Sequence, residues 1–269
     1  MQVSLQPRSG LPLKAMRSLV AFTLLVALLS APAITWGQSS SGPSTNASAA
    51  LAQIANAFSP GKPVSNVQLT GSATWYAGDQ DTGTVTFIAS ASGASQVQLS
   101  LAKKGTWTEE QGGIGWGMNC QWAGADGVAH NGDLMNCLKP VVWFLPSISL
   151  QPASIPSGVG ISDFGIGQVG SGTYRHLRSQ AVLPAAPSQL LLQSVQASTV
   201  DIGYDPQTLL ASALTYQVHP DNGAPVAIPI EIHYSNYQMV NGTEIPFLIQ
   251  RYVNGSLQLE IQVSSASIN

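Results

Sequence analysis

The chain offers four histidines, His130, His176, His219 and His233, two cysteines and thirteen acidic side chains from which any catalytic or metal-binding set must be drawn. No two histidines stand at the i, i+4 spacing that places ligands on one helix face, and none sits in a ligand-spaced cluster with the cysteines. Asp126, His130 and Asp133 fall together, but so open a spacing reads as a solvated turn rather than a metal site. Asp79, Asp81 and Gly83 begin like a calcium loop and lack its remaining ligands and terminal Glu. "GIGQVG" (165–170) has dinucleotide-binding spacing, yet "SGTYRHLR" follows it with a strand pattern where a phosphate site needs a helix N-terminus. Ser residues in "GSGTY" and "PSGVG" miss the Gly-x-Ser-x-Gly elbow. Glu109 and Glu110 adjoin in a strand, so they face opposite sides and cannot act as a paired acid and base. One enzymatic reading stays open, a hydrolase built from His176 or His233 with Asp201 or Asp205, which requires the fold to bring them within hydrogen-bond reach. Otherwise the sequence reads as a non-enzyme with no metal and no cofactor.

Cys120 and Cys137 read as a structural disulfide if the chain is exported, closing a loop of about 17 residues. Export is what the front of the chain suggests. Arg8, Lys14 and Arg17 precede an uncharged apolar run from Leu19 to Leu29, and small residues follow at Ala31, Ala33 and Gly37. This is a signal-peptide pattern over residues 1–37, cleaved after Ala33 or Gly37. A retained membrane anchor over Ser18–Trp36 is the alternative, against which Pro32 and the polar linker "QSSSGPSTN" (38–46) argue. Removing residues 1–37 takes three of the ten Lys/Arg and none of the Asp/Glu, moving the formal charge from -3 to -6. Nucleic acid and anionic lipid surfaces are therefore poor partners. The localisation expected is periplasmic or secreted.

Residues 47–269 read as one domain. "ASAALAQIANAFSPG" places Leu51, Ile54, Ala55 and Phe58 at helical spacing and stops at Ser59-Pro60-Gly61. From Val64 the period changes to two, through "VQLTGSATWY", "TGTVTFIAS" and "SQVQLSLAKKG", with Gly, Asp and Ser in the turns. Between Asn131 and Ser162 the pattern breaks around "PVVWFLP", a short helix or cap. Strands then resume, and Asn-Gly at 241–242 and 254–255 supplies tight hairpins, with Pro246 expected at a strand start or edge. In the last strand Leu257, Leu259, Ile261 and Val263 face one way and Gln258, Glu260 and Gln262 the other. About ten locally connected strands with one apolar face must curl. The expected fold is mainly β with some α, a curved antiparallel sheet or unclosed barrel with an N-terminal helix and a mid-chain capping segment.

Trp107, Trp116, Trp122, Trp143 and Phe144 concentrate in the middle third. They either fill the core or form, with "VVWFLP", a movable lid over the concave face that contacts a lipophilic ligand. The candidate cavity and lid residues are Trp107, Trp122, Val142, Trp143, Phe144, Leu145 and, from the tail, Phe247.

The helix around Leu51–Phe58, the first strand "VQLTGSATW", "DIGYDPQTLL" (201–210) and "EIHYSNYQMVNGTEIPFLIQRYVNG" (231–255) with the terminal "SIN" together resemble the LolA/LolB-like, or outer-membrane lipoprotein-sorting, superfamily of exported bacterial proteins. The resemblance implies an unclosed antiparallel barrel whose helices plug a hydrophobic cavity that receives lipoprotein acyl chains or another lipophile, in a carrier or sensor. The carrier's lid-latching arginine on an early strand has no counterpart here, since Val64–Ala102 contains no Arg or Lys. A secreted structural or protein-interaction domain with a filled core and no ligand is the second reading.

Overall fold

The computed structural model describes residues 45–114, 119–182, 189–220 and 226–269. The expected leader (1–37), the linker up to residue 44 and Trp116 lie outside the described residues. Helix α1 (Thr45–Phe58) buries Ala47, Ala50, Leu51, Ile54 and Phe58, one stripe at i, i+3, i+4 and i+7 spacing. A first meander follows: β1 (Asn66–Trp75), β2 (Asp81–Ser90), β3 (Ala94–Leu101), β4 (Gly105–Gly112), β5 (Cys120–Ala123) and β6 (Ala129–Asn131). Two single-turn helices, α2 (Leu134–Cys137) and α3 (Pro146–Ser149), and a 3-10 turn at Pro152–Ser154 occupy the irregular stretch. The second meander comprises β7 (Val159–Val169), β8 (Gly172–Ala181), helix α4 (Gln189–Ala197), β9 (Val200–Tyr204), β10 (Ala211–Val218), β11 (Ile228–Val240), β12 (Thr243–Val253) and β13 (Ser256–Ile268).

Among the described residues the strands join in one unclosed antiparallel sheet of thirteen, ordered β6-β5-β4-β3-β2-β1-β13-β12-β11-β10-β9-β8-β7. The first and last strands pair at its centre, Val67 with Ile268 through Trp75 with Leu259. Thirteen exceeds the ten expected because β6 is only three residues long and displays no alternation to read, and because "GQVGSGTYRHLRSQAVL" reads as a single run where the chain forms β7 and β8. Helix α4 was not expected either. Its buried described side chains are Ser194 and Ala197, too small to mark a helical period.

Register puts one apolar row on the inner face. Leu259, Ile261 and Val263 of β13 continue into Leu69 and Ala73 of β1, then Val85 and Phe87 of β2, then Val97 and Leu99 of β3. Close backbone approach at the bend requires glycine: a Cβ on Gly83 would lie 1.8 Å from the Ser100 carbonyl oxygen, and one on Gly71 2.2 Å from that of Gln262. Both Asn-Gly pairs have positive φ at both residues (51° and 86° at 241–242, 50° and 75° at 254–255), the geometry that lets a two-residue hairpin follow the strand twist. Pro246 meets the expectation made for it. It is the fourth residue of β12, opposite Tyr237 of β11, but the β12–β13 ladder begins only at Leu248, so on its other side the strand is locally an edge and the missing donor leaves no ladder bond unmade. The β11–β12 ladder also skips Asn236 opposite Phe247, and Asn236 has φ 53°.

The curled sheet is filled by its own chain. Val141, Val142, Phe144, Leu145, Ile148 and Leu150 are buried within it. Phe144 stacks on Phe87 of β2 at 4.4 Å between centroids, and Trp143 meets the same ring edge-on at 5.6 Å. The segment's polar groups are satisfied as it goes in: the Val142 amide donates to Ser149 Oγ (3.1 Å), the Tyr234 hydroxyl donates to the Trp143 carbonyl, and Gln151 bonds both backbone groups of Val64 at 3.0 Å. These contacts make the segment a plug. Replacing its centre, Phe144→Ala, is expected to lower unfolding free energy by about 3–5 kcal/mol, read from urea unfolding; a loss below about 1 kcal/mol would show the plug to be loosely held.

Candidate functional site

The plug leaves space at one side. A groove of about 320 Å³ opens between β3–β5 and the β10–β12 wall, lined by Val97, Trp107, Glu109, Trp122, Lys139, Trp143, Tyr216 and Arg251 among others. Strand period two supplies its outer wall. Trp107 stands opposite Leu99, Glu109 opposite Val97 and Trp122, and Trp122 opposite His130, so all four side chains share the inner face. Trp107 and Trp122 are stacked at 5.9 Å, and Trp122 and His130 at 4.4 Å. Glu110 turns outward and accepts from Gln96 Nε2 (2.8 Å), which bears out the opposed facing of the two glutamates.

The inner wall carries charge. Arg251 lies opposite Ile232 and Leu259 in β12, on the apolar face, with its guanidinium 5.6 Å from the Trp143 ring centroid. Its side chain is 18% exposed, and its acceptor is Glu109 Oε1, 3.5 Å from Nη1 across the interior. Arg251 Nε is buried with no partner. A buried donor left unmade costs about 1–3 kcal/mol, so this arginine is under-satisfied where it stands. Burial by itself works against the charge, yet the neighbouring Tyr216 and Glu109 hold the guanidinium above its ordinary value. Lys139 is also buried, donating to the Asn136 carbonyl (2.8 Å) and lying 5.1 Å from the Tyr216 ring centroid. Burial pushes the Tyr216 hydroxyl up to about 12, so it stays neutral.

Of the residues singled out from sequence, Trp107, Trp122 and Trp143 come together at the groove. Val142, Phe144 and Leu145 are fully buried in the plug, and Phe247 packs half-buried against the core away from the groove. Arg251, Glu109, Lys139 and Tyr216 were missed. The signal was faint: Arg251 is a charge at an inner-face position of "EIPFLIQRYV", where alternation otherwise predicts an apolar residue.

The disulfide expected between Cys120 and Cys137 is present and ties β5 to α2, fixing the Trp122 wall to the plug's entrance. The other chemistry weighed from sequence resolves into structure. Asp133 accepts the Met135 amide at the start of α2, and Asp126 the Val128 amide. Asp81 is buried and accepts the amides of Thr82, Lys103 and Lys104 at 2.8–2.9 Å. Among the described residues no three His, Cys, Asp or Glu are grouped to hold a metal.

His176 does meet Asp201, Nε2 to Oδ1 at 2.7 Å, on the outer face. Arg178 takes the same carboxylate in a fork, Nε to Oδ1 at 2.7 Å and Nη2 to Oδ2 at 3.0 Å. Burial would raise the Asp201 pKa, but the bonds from His176 and Arg178 prevail and lower it. Asp205 instead caps a turn, bonding the amides of Gln207 and Thr208. His233 pairs with Glu231 (2.6 Å), whose oxygen also receives the Ser171 amide and hydroxyl and so pins the β7–β8 hairpin tip. Neither histidine is bonded to a hydroxyl or thiol among the described residues, so each is a histidine–carboxylate hydrogen bond with no nucleophile on it.

No protein-family profile matches the sequence, and no curated protein matches it significantly. Solved structures do match the fold. An outer-membrane lipoprotein-sorting protein domain from Vibrio parahaemolyticus aligns at 9% identity and TM-score 0.50, covering 81% of this chain and 91% of that one. A LolA superfamily protein from Nitrosomonas europaea aligns at 10% identity and TM-score 0.50 (83% and 93%). A DUF1329 family protein from Desulfovibrio piger aligns at 10% identity and TM-score 0.52 (85% and 94%). The chain has the LolA-like fold.

Two outcomes follow for stability. Cys120→Ser with Cys137→Ser is expected to lose about 3 kcal/mol by chemical denaturation, and the Trp122 wall should loosen, seen as a change in tryptophan emission of the still-folded protein. Asp201 has a folded pKa below its unfolded value of about 4, so its stabilisation is present above that value and lost as pH falls through the depressed one. The urea midpoint should therefore drop between pH 5 and pH 2, and Asp201→Asn should flatten the drop.

Proposed function

We propose that this is an exported, non-catalytic protein that binds a lipophilic ligand, an acyl chain or similar molecule, in the groove beside the plug, and acts as a carrier or sensor. The observation that carries the reading is the groove itself: Trp107, Trp122 and Trp143 converge on open volume at the margin of a core that is elsewhere filled. Ligand sites are concave, mostly apolar and furnished with a few placed polar groups, typically about 300–1,000 Å³. At about 320 Å³ the groove stands at the small end of that range, which suits one chain better than several. The outer-membrane lipoprotein-sorting protein domain from Vibrio with a similar fold supports a lipophilic ligand of the kind a lipoprotein carries.

A second reading, a protein-interaction domain with a filled interior, takes its support from the buried plug. The two differ in whether the groove takes up small lipophiles. A fluorescent fatty acid is expected to bind saturably, and solvent extraction of the purified protein to yield a co-purified lipophile by mass spectrometry. Trp107→Ala and Trp122→Ala should each weaken binding by roughly tenfold. No saturable signal and no extracted lipophile would favour the interaction domain.

A further inference from the structure

We infer that Arg251 anchors an anionic head group, so that the ligand of the groove is a single-chain anionic amphiphile. The inference rests on the reading of the groove as the lipophile site. A guanidinium has five N–H donors, and among the described residues Arg251 engages one of them, on Glu109 Oε1 at 3.5 Å. That contact is long for a charge-assisted bond, which runs about 2.7–2.9 Å. The Glu109 side chain is 48% exposed, against 18% for Arg251. Glu109 is free to swing toward solvent, whereas Arg251 is fixed beneath Trp143.

Charge is arranged by depth. The two cations, Arg251 and Lys139, lie at the inner end against Trp143 and Tyr216. The carboxylates stand at the rim, and Glu110 is turned away to Gln96. An anion entering past Trp107 and Trp122 would exchange the long Glu109 contact for a planar fork that matches the two oxygens of a carboxylate or phosphate. Its chain would lie against the tryptophan faces. Neutral lipophiles gain the second interaction without the first, and cationic ones meet Arg251 as a like charge.

The test compares dodecanoate, dodecyl phosphate and dodecanol, equal in chain and different in head, by tryptophan fluorescence titration of the purified protein. At least one of the two anions should bind tenfold or more tighter than dodecanol, and which one identifies the head group. Arg251→Gln should bring that ratio to about one. Glu109→Gln, whose amide oxygen can still accept from Arg251 but carries no charge, should tighten the anion by removing its competitor. Equal binding of anions and alcohol by the unaltered protein, or weaker anion binding by Glu109→Gln, overturns the anchor and leaves the lipophile reading standing. Absence of saturable binding by all three overturns that reading and the anchor with it.

Discussion

A wide antiparallel sheet with one apolar face cannot remain flat in water, and everything else in this protein depends on how that face is covered. Twist curls the sheet, glycines at Gly71 and Gly83 permit the close approach that the curl demands, and the concave side becomes a volume that must be occupied. The chain covers it with α1 and with residues 138–150, inserted between the two meanders. Phe87 is the receiving surface: it lies in β2, opposite Leu69 and Val97, and holds both Phe144 and Trp143. An unplugged sheet of this size would expose an apolar patch far larger than soluble monomers carry.

The fit is not uniform. Apolar contacts are dense around Phe144, Leu145 and Ile148, while the side toward β4 and β5 is lined by large rings and long polar chains that do not pack to the same density. The Arg251–Glu109 contact crosses this gap between residues 142 positions apart in sequence. A buried guanidinium with poor hydrogen bonding is weak evidence for stability, because its desolvation outweighs a single long contact. It puts a charged group at the inner end of the groove, with Trp107 and Trp122 at its outer side.

The outer face works differently. There the His176–Asp201–Arg178 and His233–Glu231–Ser171 sets hold strands and a hairpin in place. Phe164 lies over both His176 and Arg178, shielding that pair from water. Both carboxylates are held below their ordinary values, which suits permanent charges and not proton carriers at neutral pH. The hydrogen-bond reach that a hydrolase would need is present at His176, but no hydroxyl or thiol among the described residues is bonded to it, and its geometry is accounted for by the ladder it braces.

Local rules were enough for the elements. Asn-Gly at two places, alternation in the final strand, the helical stripe of α1 and the spacing of Cys120 and Cys137 each report on a few neighbouring residues, and each held in the structure. Local rules also failed where another part of the chain decides. Helix α4 forms although its buried described residues are small, and β6 pairs although three residues show no period. The site belongs wholly to this second kind. Three of its tryptophans could be named from composition, yet which aromatics face open space and which are sealed in the plug depends on how residues 138–150 enter the curled sheet. Arg251 could not be matched with Glu109 because pairing across a sheet interior follows strand order and curvature, which a one-dimensional pattern of period two does not contain.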